Sequence, residues 1–288
     1  LYRLLILYGE SMFFILGSPR SGTSLLRLML NSHSKIVVPP ECGFALWLYK
    51  KYGHMAFDNM VIIDSFIDDL FQTKKFETWG LKKPEVKNRL MKSRPKTYQE
   101  VCNLIYTCYS NKEVIGDKNN YYVSELNELN NAFPNSKYVA IVRDGRDVAC
   151  SYKEIQRKEI KSNYAPQLPS SMSDIAKQWT ENNNLIMAQV SKEGVIIRYE
   201  DLISNPSKQL ALLCDYLDLP SESGMLEYYL NKGGSEPEEF LQWKSKTTQP
   251  ISSNSIKRYK AELSNSEIND FNHYAASLLT RFGYLDND

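Results

Sequence analysis

The chain has 288 residues, long enough to bury a sizeable core in one large domain or two small ones. Its 35 Lys and Arg stand against 34 Asp and Glu, a net charge of +1, so no whole-molecule field selects nucleic acid or an anionic membrane, and any anion has to be recognised locally. The five cysteines are scattered without C-x-x-C or Cys/His spacing and the three histidines lie far apart, which argues against a metal centre and leaves the thiols as reduced packing residues.

No run approaches the ~18 apolar residues of a membrane span. The N-terminal LLILY is short for a signal-peptide core and is followed at once by Gly9 and Glu10, so no secretory signal is assigned and a cytoplasmic protein is expected. FFIL, Phe13 to Leu16, is continuous rather than alternating and predicts a strand buried on both faces. GSPRSGTS follows, and LLRLMLNSH then reads as a helix, so strand, glycine loop and helix open the chain. From Tyr49 to about Lys112, FIDDLFQ and YQEVCNLIYTCYS look helical and are separated by the basic stretch KKPEVKNRLMKSRPK, which predicts an inserted helical region.

KYVAIVRD, Lys137 to Asp144, and GVIIRYEDL, Gly194 to Leu202, are rich in β-branched and aromatic residues and read as further central strands. The helical spacing between them, from Ser171 to Glu193, predicts a helix capped by Ser171 or Ser173. SNPSKQLALLCDYLDLP predicts another, begun at Pro206 and stopped before Pro220. The polar segment from Gly233 to Ala261 is expected to be a lid or binding loop, or an ordered surface excursion. The fold expected is α/β, a central parallel sheet flanked by helices, and with no internal repeat or low-complexity linker residues 1–288 read as one domain.

Gly17 to Ser24 has the frame G-x-x-x-x-G-K-[ST] of a nucleotide-binding loop, with Thr23 where the lysine belongs. A glycine-bounded turn feeding a helix presents backbone N–H groups and the positive end of the helix dipole to one point, which makes an anion site. Thr23 cannot supply the missing charge; Arg20 can, and its planar fork suits a pair of phosphate or sulfate oxygens. In YVAIVRDGRDVACSY, Arg143 closes a strand at the edge where open α/β sheets place ligands, and with Ser151 it can clasp a second phosphate. Alone, RDGRD is more often a charged turn with internal ion pairs.

PRSGTS and VRDGRDVACS together resemble the 5′-phosphosulfate loop and the 3′-phosphate motif of sulfotransferases that use 3′-phosphoadenosine 5′-phosphosulfate as donor, with a P-loop-like fold. RYEDL resembles that family's later strand on the adenosine side. The resemblance implies a donor site made of Arg20, Ser21, Gly22, Thr23, Ser24, Arg143 and Ser151, with Tyr199 and Arg258 beside it, Arg258 resembling a basic residue that folds over the donor from a late loop. An arginine in the first motif is similar to the tyrosylprotein branch and to several carbohydrate and bacterial enzymes. In the tyrosylprotein branch the catalytic glutamate lies twenty-one residues beyond the loop arginine, which here is Glu41. A lysine in an N-K-D-P segment of that branch resembles Lys118 in GDKNN, although Asp117 and Asn119 break the pattern.

Sulfuryl transfer to a hydroxyl builds charge on the departing phosphate oxygen, so cations belong there, and Arg20, Lys118 and the loop N–H groups fit that role. The acceptor proton needs a base, and a partly buried Glu41 with a raised pKa is the expected one, against the plainer reading of a helix-start carboxylate. The scheme calls for no metal. A P-loop nucleotide kinase and a non-catalytic nucleotide-binding module are the competing readings. Trp47, Tyr49, Tyr121 and Tyr122 can line an acceptor site or be core. A saccharide hydroxyl is the first expectation for the acceptor and peptide tyrosine the second.

Overall fold

The computed structural model describes residues 12–231 and 236–285. The N-terminal apolar run and residues 233–235 of the expected lid therefore lie outside the described residues. Five strands form one sheet in the order β2-β3-β1-β4-β5, with β1 at Phe13–Leu16, β2 at Ile36–Val37, β3 at Val114–Lys118, β4 at Lys137–Val142 and β5 at Gly194–Arg198. Every pairing is parallel, and β1 lies between β3 and β4 with Ile15 opposite Lys118 and Leu16 opposite Ala140. The continuous apolar run of β1 is explained by burial on both sides: Phe14 and Leu16 enter one core while Phe13 and Ile15 enter another.

On the Phe13 face, α1 (Thr23–Asn31) packs Leu26, Met29 and Leu30 against Val139 and Ile141 of β4. On the Phe14 face lies the inserted helical region, built of α2 (Met60–Gln72), α3 (Lys83–Ser93) and α4 (Tyr98–Tyr109), whose Phe66, Val86 and Val101 join one cluster. The basic stretch expected to separate two helices is thus itself mostly helix. Pro84 sits in the first turn of α3, where its missing N–H costs no bond, and Val86 and Leu90 alone carry the apolar stripe.

Helix α5 (Gly145–Gln156) follows β4 directly, and α6 (Met172–Glu193) starts at Ser171, whose side chain accepts from the Asp174 N–H as the sequence anticipates. The strand expected to run to Leu202 stops at Arg198; α7 (Tyr199–Ser204) takes over, so Tyr199 projects from a helix start rather than a strand. Helix α8 (Pro206–Tyr216) begins at its proline as expected. In the expected lid, residues 236–261 hold α9 (Glu238–Lys244) and short 3-10 turns, so this part is ordered. The last helix, α10 (Asn265–Arg281), carries a Ser264–Glu267 capping box and packs with α5 and α6 around Trp179.

Cys42, Cys102, Cys150 and Cys214 are buried and Cys108 half-buried, and all five thiols are free. Among the described residues no helix is long and apolar enough to cross a membrane.

Candidate functional site

The carboxyl ends of β1, β3, β4 and β5 point to one side, and the chain order reverses direction at β1, the position where open parallel sheets bind ligands. The loop after β1, Lys118 at the end of β3, Arg143 after β4 and Tyr199 after β5 all line a single cleft of about 650 Å³. The same cleft includes Glu41, Ser151 and Arg258, so every residue expected to hold the donor or carry the chemistry except Ser21, which is fully buried, lines one cavity.

The loop geometry explains its glycine. Gly22 has φ of 101°, and a Cβ there would come within 2.6 Å of the Tyr199 ring, so a side chain is excluded on two counts. Arg20 also adopts a positive φ of 68°. Helix α1 starts at Gly22 without a side-chain cap, which leaves its first N–H groups directed at the cleft end of the helix. The Thr23 hydroxyl donates to Asn120 at 3.3 Å, and the Ser21 hydroxyl is buried without a partner among the described residues.

Two arginines and a serine converge beside this loop. Arg20 Nε donates to Ser151 Oγ at 3.1 Å. Arg143 donates from Nη1 to the Arg20 carbonyl at 3.1 Å and from Nη2 to the Ser255 carbonyl at 2.5 Å, while its buried Nε has no partner among the described residues. The Tyr199 ring stacks 4.6 Å from the Arg143 guanidinium. Burial, then the neighbouring Arg143, pushes Arg20 down to about 10. Two guanidiniums in one buried wall, with an Arg143 Nε and a Ser21 hydroxyl that have no partner among the described residues, are the donor set a phosphorylated nucleotide would satisfy. The residues present therefore fit such a group.

The RDGRD turn is divided in use. Arg143 enters the cleft, whereas Arg146 pairs internally with Asp144 at 2.8 Å. Asp147 accepts from the N–H groups of Lys257 and Tyr259 and so ties the late loop to α5. Arg258 does not have the expected role in free form: its Nη1 donates to Glu154 and its Nε and Nη2 to Glu262, each at 2.8 or 2.9 Å, so acidic side chains engage its fork at the cleft rim.

Glu41 differs from expectation in its charge state. It receives Lys244 at 3.1 Å, Lys118 at 3.3 Å and Lys75 at 3.7 Å. Burial alone would raise its pKa, but Lys118, Lys244 and Lys75 together outweigh burial and hold the carboxyl well below the usual range. The expectation of a raised pKa is corrected on that ground. The helix-start reading fails too, because the nearest helical turn begins at Phe44 after Gly43 and has no acidic residue in its first turn. Lys118 is fully buried at the strand end, and burial lowers it to about 8 against the attraction of Glu41. Beneath it, Asp117 accepts from the hydroxyls of Tyr106 and Tyr122 and from the Lys118 N–H, and burial raises it to about 6.

Lys75, Lys244, Glu236 and Arg27 belong to the same charge cluster and no motif marks them. Lys244 also contacts Glu236 at 3.1 Å, and Glu236 pairs with Arg27 of α1 at 3.1 Å. The one available signal was local, the apolar FLQW run ahead of Lys244 within an otherwise polar segment. Of the four aromatic residues singled out, Trp47 and Tyr121 line the cleft with ring centroids 6.2 Å apart. Tyr49 packs on Tyr98 and Tyr122 is core.

Residues 13–223 match the sequence profile of the Sulfotransferase family. Protein-tyrosine sulfotransferase 1 of Danio rerio is 25% identical over 235 residues, covering 77% of this chain and 58% of that protein, and protein-tyrosine sulfotransferase 2 of Gallus gallus is 23% identical over 294 residues, covering 96% and 71%. The chain thus spans under two thirds of the length of the first of these relatives. Among solved structures, the sulfotransferase domain from the curacin biosynthetic pathway aligns with a TM-score of 0.61 at 23% identity, over 91% of this chain and 96% of that one. A mouse sulfotransferase complexed with PAP aligns with a TM-score of 0.50 at 14% identity, over 97% and 88%. Both agree in fold with the parallel sheet described above.

Proposed function

The chain belongs to the sulfotransferase family, and from that premise we propose that it moves a sulfuryl group from 3′-phosphoadenosine 5′-phosphosulfate to a phenolic hydroxyl, that of tyrosine in a peptide, releasing 3′-phosphoadenosine 5′-phosphate. The observation that carries the donor assignment is the convergence of Arg20, Ser151 and Arg143 around an Arg143 Nε that has no partner among the described residues. When bound, the donor supplies an activated sulfuryl group on a phosphate leaving group. Arg20, Ser21, Gly22, Thr23 and Ser24 would hold its 5′ side through the uncapped N–H groups of α1 and the guanidinium; Arg143 and Ser151 would hold the 3′-phosphate, with Tyr199 keeping Arg143 in place. Arg258 sits at the rim with its fork engaged by Glu154 and Glu262.

Lys118 would supply an ammonium to the charge that builds on the leaving oxygen. Glu41 takes the acceptor proton. A carboxylate held low by three lysines is a weak base, and this favours an acidic hydroxyl: a phenol, with its pKa near 10, lies closer to it than an aliphatic alcohol does. That argument, with relatives named as protein-tyrosine sulfotransferases, favours tyrosine over the saccharide hydroxyl first expected. Trp47 and Tyr121 offer aromatic walls for such a ring. Mass spectrometry of a mixed set of tyrosine peptides and oligosaccharides, incubated with the donor, tests the reading: sulfation confined to the oligosaccharides would overturn the acceptor assignment.

A further inference from the structure

Five side chains alternate in sign from the loop helix to the end of β3. Arg27 of α1 meets Glu236 at 3.1 Å, Glu236 meets Lys244 at 3.1 Å, Lys244 meets Glu41 at 3.1 Å and Glu41 meets Lys118 at 3.3 Å. All are buried or nearly so, with Glu236 at 0% and Lys244 at 6% side-chain exposure. We propose that Lys244 is a positioning residue for Glu41: it fixes the carboxylate and makes its orientation depend on the seating of residues 236–244 through the Arg27–Glu236 pair. The proposal rests on the reading of Glu41 as the base.

Three features separate Lys244 from its neighbours. Lys75 is 3.7 Å from Glu41, beyond hydrogen-bonding distance, and Lys118 is fixed at a central strand end whatever residues 236–244 do. Lys244 alone arrives on α9, which is anchored to the protein by a small satellite cluster of Ile155, Phe240 and Trp243 with Ile160, Tyr164 and Leu168. Its ammonium is already shared between two carboxylates and lies 4.8 Å from the Phe240 ring, so two of its three donors are taken up by the protein and its charge is balanced there. The charged groups facing Glu41 are Lys75, Lys118 and Lys244, with Asp117 behind Lys118 and Glu236 behind Lys244. Loss of Lys244 would therefore remove one of the two ammonium contacts to Glu41 Oε2, leaving that of Lys118, reduce the positive charge around the carboxylate, and uncouple residues 236–244 from the base.

The test uses Lys244→Met, Lys244→Gln and Lys244→Arg in the whole chain. Affinity for 3′-phosphoadenosine 5′-phosphate should stay within about twofold of the parent in all three, since the phosphate clamps are untouched. The carboxyl carbon signal of Glu41, assigned by its disappearance in Glu41→Gln, should begin to titrate at higher pH in the Met and Gln variants than in the parent, and amide exchange over residues 236–244 should speed up. Lys244→Arg, which keeps the charge, should restore both. With an acceptor in hand, kcat should drop about 10²-fold in Lys244→Met, the scale of a misplaced catalytic group, with the KM for the donor unchanged. An unaltered Glu41 titration in folded Met and Gln variants would overturn the proposal, as would a tenfold loss of nucleotide affinity, which would make Lys244 a donor ligand. A parent protein that binds no 3′-phosphorylated nucleotide would instead remove the donor reading, and the Glu41 titration would still decide whether Lys244 controls that carboxylate.

Discussion

Arg20 Nε donates to the Ser151 hydroxyl at 3.1 Å across 131 residues of sequence, so the loop after β1 and the helix after β4 form a single wall of the cleft. The bond places the 5′ and 3′ ends of the inferred donor site within one hydrogen-bonded unit, which Arg143 completes by donating to the Arg20 carbonyl. Such a wall rewards a ligand with two separate phosphate positions over one with a single polyphosphate chain.

The first expectation is therefore selective stabilisation. 3′-Phosphoadenosine 5′-phosphate at 100 times its dissociation constant should add ~2.7 kcal/mol, read as a raised melting temperature, whereas ATP with magnesium should add little. Equal stabilisation by ATP that EDTA abolishes would favour a nucleotide kinase, although Thr23 stands where such a loop carries its lysine.

Arg143→Ala and Ser151→Ala should each weaken binding of the 3′-phosphorylated nucleotide by about 1.5–3 kcal/mol, the worth of a charge-assisted hydrogen bond, while affinity for the analogue lacking the 3′-phosphate changes little. Calorimetry on both nucleotides gives the comparison. Undiminished preference for the 3′-phosphate in both variants would detach VRDGRDVACS from that role.

Gly22→Ala should damage loop and clamp together. The new methyl meets an unfavourable φ of 101° and the Tyr199 ring at 2.6 Å, and moving that ring disturbs its stacking on Arg143. A loss of at least ~1 kcal/mol in denaturant stability accompanied by weaker nucleotide binding is expected. Parent-like values for both would mean that the loop relaxes without cost.

How far the sequence carried these conclusions depended on whether a feature was local. FFIL and KYVAIV were legible because a strand buried on both faces leaves a continuous apolar run, and the turn in GSPRSGTS because its Gly22 sits at a positive φ just before a helix. β2 has only two residues and β3 carries Gly116 and Asp117, so neither has a strand pattern to read. The end of β5 was misjudged because Tyr199 and Leu202 suit either state, and the helical outcome is set by how the chain leaves the sheet. The charge state of Glu41 was hidden for a different reason: Lys75 and Lys244 reach it from segments 34 and 203 residues away, and no local pattern reports a three-cation cage.

Glu41→Gln separates chemistry from grip. Nucleotide affinity should be retained and turnover should fall by ~10²–10⁴-fold, as for a lost general base. The structure adds a stability cost, because the amide leaves Lys118, Lys244 and Lys75 facing one another with less opposing charge; a loss of about 1–3 kcal/mol is expected from denaturant unfolding. Near-normal turnover with this loss of stability would make Glu41 a structural counter-ion and leave the acceptor proton to another group.

The last expectation concerns alkaline pH. Burial lowers Lys118 from its ordinary 10.5 to about 8, with Glu41 opposing, so the free protein should lose this charge as the pH rises through about 8. If the ammonium stabilises the leaving oxygen, kcat/KM falls along that limb, since this ratio follows the groups of the free enzyme. The stability effect has the opposite sign. Because the folded pKa lies below the unfolded one, the unfolded chain binds more protons between about 8 and 10.5, and the contribution of Lys118 to stability improves as pH climbs through that window. Activity and melting temperature measured in the same buffers should therefore diverge above pH 8 as far as Lys118 governs them. Lys118→Arg should move the limb to higher pH, because a guanidinium keeps its proton there. A limb that stays near 8 in the arginine variant, or that tracks a falling melting temperature, would assign the alkaline loss to another group or to unfolding.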